Sequence, residues 1–177
     1  MEIPEQIELG CGKKKPEGFY GVDISETEVV DQTENLDQPG WDLPSDHFHV
    51  IRAVDLFEHL SNPTQFMEEV WRIAKPEAKI VIRGPHISSD NWHDPTHKRL
   101  LGSRTFEHYT PESRFEFYSD CSFKVNDFEI QFQWQPTPIK QIGHYVANRM
   151  TYSYETTALR NILPATNIRF ELTPIKK

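Results

Sequence analysis

Residues 6–24 read QIELGCGKKKPEGFYGVDI. A short apolar run ends in Glu8-Leu9-Gly10-Cys11-Gly12, and a second closes on the acid Asp23. Two short runs of this kind, joined by a glycine-rich turn, read as neighbouring buried strands. Glycine at 10 and 12 removes the side chains that would keep a ligand off the backbone. A turn of this type normally leads into a helix whose N-terminus receives a phosphate. Here Lys13, Lys14, Lys15 and Pro16 stand where that helix should begin. The turn is therefore expected to serve a ligand that brings no pyrophosphate.

The rest of the chain fits around that opening. "HFHVIRAV" supplies the next strand, followed by a brief helical turn. Ser61-Asn62-Pro63 marks a helix start, and Phe66, Val70, Ile73 and Ala74 recur at helical spacing. "PEAK" breaks the helix and "KIVIR" is a compact β-branched strand. "TEVVDQ" is a third, weaker strand candidate, with Asp31 at its end. Alternating strands and helices argue for an α/β fold with a mostly parallel sheet. In the second half, "TPESRFEFYSD" suits a helix capped by Thr110. "SFKVNDFEIQFQW" alternates as a strand with one bulge-like shift, "IKQIGHYVANRMTYSYETTALRNIL" suits helix, and "TNIRFELTPI" alternates again. One domain over residues 1–177 is expected, with no linker or repeat.

Composition narrows the function. The 177 residues carry 37% hydrophobic and 12% aromatic side chains, which is globular composition. No apolar run is long enough to span a membrane. The first residues lack the basic and apolar regions of a signal peptide, so a cytoplasmic address is expected. Two cysteines without metal-type spacing suit a reducing compartment. A net charge of −8 without a basic groove argues against nucleic acid as partner.

In an open parallel sheet, ligands bind outside the carboxyl ends of the strands. Asp23 ends the second strand, placed to accept hydrogen bonds from the two hydroxyls of a ribose. A dinucleotide would want a third glycine near position 14 or 15, where lysines stand. NAD is disfavoured, and a reductase would also want a Tyr-x-x-x-Lys that the chain lacks. A nucleoside without phosphates fits better, which points to S-adenosylmethionine.

Together, "ELGCGKKKPEGFYGVDI", "DLFEHLSNPTQFMEEVWRIAKPEAKIVIRGPH", "DPTHKR" and "LPATNIRFELTP" resemble the class I S-adenosylmethionine-dependent methyltransferases. The likeness is to a short, methyltransferase type 11-like subgroup with a DPTH loop, and it runs from about residue 6 to the C-terminus. The resemblance implies a Rossmann-like three-layer sandwich. Its seven-stranded sheet would be mostly parallel, with the last strand antiparallel and the first helix truncated. It also implies that Gly10 and Gly12 flank the methionine part of the cofactor, while Glu8 holds their loop. Asp23 would take the ribose hydroxyls, with Ile24 against the adenine face. Asp31, after the third strand, would accept from the adenine amino group, with the Gln32 amide nearby. Asp55 would lie beside the methionine end, and Glu58 and His59 would cap the next helix. The chain departs from the family where Glu77-Ala78 replace a glycine pair, and where Asp55 stands in place of a common histidine.

The long polar stretch with His86, His93, His97 and His108 admits three readings. His93, Asp94 and His97, with His86, are metal-ligand types, but neither paired cysteines nor a helical His-x-x-x-His accompanies them, so no metal is assigned. The stretch is instead read as the wall of an acceptor site, with His97 as base oriented by Asp94. A plain loop-stapling Asp-His pair is the bland alternative. Trp92, Phe106, Tyr109, Trp134 and Tyr145 are candidates for pocket lining, though most are expected in the core. The resulting expectation is methyl transfer to a small polar acceptor, a saccharide or another small molecule. A non-catalytic cofactor- or partner-binding module is the alternative.

Overall fold

A computed structural model describes residues 3–113, 121–133 and 137–176. The strands are β1 (Gln6–Leu9), β2 (Tyr20–Asp23), β3 (Gln32–Thr33), β4 (Phe48–Val54), β5 (Ala74–Pro85), β6 (Phe123–Gln131) and β7 (Asn167–Pro174). They form one seven-stranded sheet in the order β3-β2-β1-β4-β5-β7-β6. β1 to β5 pair in parallel, and β7 runs antiparallel between β5 and β6. The mostly parallel sheet with its antiparallel last strand is therefore as expected.

Side-chain alternation explains how the sheet is dressed, because paired residues share a face. Ile7, Ile51, Ile80 and Leu172 form one cross-strand row, and Leu9, Ala53, Ile82 and Phe170 the next. All eight are buried. Helix α1 (Pro63–Ile73) covers this face with Phe66, Met67, Val70 and Ile73. An aromatic chain ties the layers together: Phe66 meets Phe57, Phe57 meets Phe106 at 5.1 Å, and Phe106 meets Phe170 at 4.8 Å. These edge and tilted contacts are the geometry that aromatic quadrupoles favour.

The other face is polar. Glu8 pairs with Arg52, Arg83 with Arg169, and Arg169 with Glu129 along the strands. Arg52 Nε lies 3.3 Å from Glu8, and Lys79 Nζ lies 2.7 Å from Glu171. Parallel strands are usually joined by helices that bury the sheet on both sides. Here residues 10–19 link β1 to β2 as turns, so the truncation of the first helix is complete. No helix among the described residues joins β1 to β2 on this side of the expected sandwich, and the Phe19 ring of the linking loop lies under Arg52. A polar face needs no apolar lid.

Helices α2 (Thr137–Arg149), α3 (Thr151–Thr156) and α4 (Leu159–Ile162) sit between β6 and β7 in sequence. Asn148 of α2 bonds both the N–H and the C=O of Ile130, fixing the helix beside the outer strand. The expected bulge in β6 falls between Val125 and Asp127. β5 begins earlier than "KIVIR", at Ala74, and crosses its irregularity with Glu77 at φ 62°. That is a glycine-like conformation at a position where the resemblance implies glycine. Most of the helix expected from Thr110 falls on residues 114–120, outside the described residues, and so does Trp134. No helix among the described residues is long and apolar enough to cross a membrane.

Candidate active site

The carboxyl ends of β1, β2 and β4 surround a cavity of about 300 Å³. Gly10 of the glycine turn lines it. Gly10 and Gly12 have φ of 72° and 56°, a region that L-residues with a Cβ avoid. A Cβ at Gly10 would also sit 3.0 Å from the Leu56 side chain. Asp23 organises the turn: Oδ2 accepts the Gly12 amide at 2.8 Å and Oδ1 accepts that of Ser25 at 2.9 Å. Each oxygen keeps a lone pair for a ligand hydroxyl. Ile24, next to it, is 66% exposed and lines the same cavity with Leu36, Leu56 and His59. A charged acceptor beside exposed apolar surface suits a nucleoside.

Other expected cofactor residues are placed differently. Asp31 precedes β3 and does not follow it, since the strand is Gln32–Thr33. Its Oδ2 accepts the Gly21 amide at 2.7 Å and pairs with Lys15. Gln32 bonds the Tyr20 hydroxyl and the Asp42 carbonyl. The residues after β3 that line the cavity are Glu34, Asn35 and Leu36. Asp31 and Gln32, expected as adenine partners, line neither this cavity nor the second one described below. "TEVVDQ" misled because its β-branched pair suggested a strand ending at Asp31. Glu8 is buried against Arg52, not hydrogen-bonded to the glycine turn, and burial pushes its carboxyl up.

Asp55, just past β4, holds φ 54° and pairs with Arg83. It lines a second, polar cavity of about 390 Å³ that also includes Glu58, His59, Asp94 and His97. His59 lines both cavities, so the two adjoin at this residue. Glu58 and His59 form a 3-10 turn (Phe57–His59) and do not cap α1. Asn62 does that, accepting from Gln65 N at 3.3 Å, while Asp37 takes the Ser61 and Asn62 amides.

The DPTH loop is fastened onto this turn. Lys98 N–H donates to the Glu58 carbonyl at 2.8 Å, and Arg99 donates to the carbonyls of Phe57 and Leu60. Two motifs far apart in sequence thus become one wall. His97 Nδ1 lies 2.9 Å from the Asn91 carbonyl, so that nitrogen carries the proton. Asp94 stands 3.7 Å from Nε2, and its other oxygen accepts from Thr96 Oγ1 and N. Those two bonds hold the Asp94 carboxyl below the usual range. The backbone of Asn91, more than Asp94, orients the imidazole.

Glu58 is 1% exposed, and its Oε2 has no hydrogen-bond partner. Burial pushes its carboxyl up to about 7. Sequence reasoning assigned it only to a cap; the signal available was an acid inside the apolar "LFEHL". The remaining histidines scatter. His86 is buried against Glu155 and Ser88, and His93 is exposed with Nδ1 2.8 Å from the Asp90 carbonyl. Phe106 and Tyr109 are core, whereas Trp92 and Tyr145 are exposed and line neither cavity.

Residues 6–125 match a family profile described as a methyltransferase domain. The chain belongs to this family. The methyltransferase also shares its fold with solved structures at low identity. The YcgJ protein of Bacillus subtilis is 14% identical with a TM-score of 0.55, covering 99% of this chain and 94% of that one. An S-adenosylmethionine-dependent methyltransferase from Archaeoglobus fulgidus is 16% identical with a TM-score of 0.54, covering 96% and 85%. Phosphoethanolamine N-methyltransferase 2 of Haemonchus contortus, solved with S-adenosyl-L-methionine, is 11% identical with a TM-score of 0.57, covering 100% and 50%. No curated protein matches. The enzyme's cofactor is S-adenosylmethionine, and the glycine turn, Asp23 and exposed Ile24 fit its nucleoside.

Proposed function

We propose that residues 1–177 act as one methyltransferase domain that alkylates a small polar acceptor held in the cavity under the DPTH loop. The observation that carries this reading is the shared wall at His59, which sets a polar cavity directly against the nucleoside cavity. Gly10 and Gly12 would flank the methionine part of the cofactor, Asp23 its ribose, Ile24 and Leu36 its adenine. Bound there, the cofactor supplies a methyl group already activated on a sulfonium. The protein's share is alignment, and proton removal where the acceptor is a hydroxyl. His97 is the base in this reading: its Nδ1 is committed to Asn91, so the neutral ring offers Nε2. Asp94 near Nε2 would stabilise the imidazolium that results. The polar lining by Asp55, Arg83 and Asn91 favours a polyhydroxylated or otherwise hydrogen-bonding acceptor over an apolar one.

The test is methyl transfer from labelled S-adenosylmethionine to a panel of saccharides, amino acids and small amines. Label in one class of small polar compound supports the reading. Label confined to protein or nucleic acid, or cofactor binding with no transfer to any compound, contradicts it.

A further inference from the structure

Glu58, His59 and His97 converge on the second cavity: one carboxylate oxygen and one ring nitrogen from each histidine lie within 4.8 Å of one another. We propose that these three residues form a site for a single divalent first-row cation of the zinc class.

The hydrogen bonds around the cluster select this chemistry. Thr96 Oγ1 donates to Asp94 at 2.6 Å, so towards His59 it accepts, and His59 Nδ1, 3.0 Å away, is the donor. His97 Nδ1 donates to the Asn91 carbonyl. Both rings are thus held through Nδ1 by oxygen acceptors, which leaves a lone pair on each Nε2. Metal-binding histidines are fixed in this way by an outer shell of carbonyl and hydroxyl oxygens. The third group is a buried acid whose Oε2 has no partner. Gly84 makes room for it, since a Cβ there would stand 3.0 Å from Oε2. An unpartnered buried carboxyl is costly and gains its counter-charge from a cation. Two imidazoles and a carboxylate favour zinc and its neighbours over magnesium or calcium.

The set differs from that suggested by sequence spacing, because His86 and His93 point elsewhere and Glu58 and His59 come from another turn. Binding itself does not depend on the methyltransferase reading, but its consequence does. The ion takes the His97 lone pair assigned to proton removal, so cation occupancy and base function exclude one another.

The full chain, stripped with chelator and exchanged into metal-free buffer, is titrated with zinc by calorimetry and with cobalt(II) by visible absorption. One ion per chain is expected. Glu58→Gln, His59→Ala and His97→Ala should each weaken binding by about tenfold or more, while His93→Ala, on the same loop, should leave it unchanged. Nitrogen-15 spectra of the wild type, with and without zinc, keep the test open if a variant fails to fold; the His59 and His97 Nε2 signals should shift. No binding, binding that survives loss of both histidines, an equal loss in His93→Ala, or shifts confined to other histidines overturns the site. A parallel S-adenosylhomocysteine titration separates the two proposals. Cofactor binding without zinc binding sinks this one alone, and zinc binding without cofactor binding sinks the methyltransferase reading of the cavities.

Discussion

Asp23 and Gly12 are joined by a 2.8 Å hydrogen bond from the glycine amide to Oδ2. The residue assigned to the ribose thus also holds the turn assigned to the methionine moiety. A change at Asp23 acts twice, once on the ligand and once on the shape of its cradle.

Asp23→Ala is therefore expected to weaken S-adenosylhomocysteine binding by about 2–4 kcal/mol, the effect of removing a charged acceptor from two hydroxyls. Asp31→Ala should leave that affinity nearly unchanged, because its carboxylate serves Gly21 and Lys15. Calorimetric titration of both variants checks the contrast. Equal losses would return Asp31 to the cofactor site.

Glu77→Gly should raise stability by about 0.5–1 kcal/mol. Glutamate is strained at φ 62°, by roughly 1–2 kcal/mol, and glycine's added freedom in the unfolded chain offsets part of the relief. Urea denaturation of the two proteins measures it. A stability loss would show that the Glu77 side chain contributes more than its backbone costs.

Low pH should loosen α3. Burial pushes the Glu155 carboxyl up, but bonds from His86 Nε2 and from Ser103 Oγ and N outweigh it, leaving it below its ordinary value of 4.5. A folded value below the unfolded one means stability that is present above pH 4.5 and lost as pH falls through the lower folded value. Melting temperatures from pH 7 downward should fall more steeply in wild type than in Glu155→Gln. Parallel curves would remove Glu155 from the account.

His97→Ala should leave cofactor affinity nearly unchanged and reduce turnover by about 10²–10⁴-fold, the usual size of a lost base. Asp94→Asn should lose less, because the Asn91 carbonyl still holds the ring. These are read with metal-free enzyme once the acceptor class is known. Unchanged turnover per folded molecule would reduce the loop to a staple.

How much of this was legible in the sequence follows from the range of the forces involved. The β1 and β2 ends, the glycine turn and Asp23 could be read because strand alternation and positive-φ glycines are local signals. β3 could not, because only Gln32 and Thr33 pair with β2 and so short a ladder leaves no periodic trace. The bareness of one sheet face was visible in retrospect in the alternation of Ile7-Glu8-Leu9 and Arg169-Phe170-Glu171. Glu58 was hidden for a different reason. Its surroundings come from far along the chain, with Gly84 beside Oε2 and the Lys98 N–H on its carbonyl, and such long-range contacts have no spacing to betray them.

The central claim is that the 300 Å³ cavity holds the nucleoside of S-adenosylmethionine. Calorimetric titration of the purified wild-type chain with S-adenosylhomocysteine and with NAD, repeated on Asp23→Ala, tests it most directly. The account predicts one S-adenosylhomocysteine per chain, no comparable NAD binding, and marked weakening in the variant. Tighter binding of NAD, or equal S-adenosylhomocysteine affinity in wild type and Asp23→Ala, would contradict it.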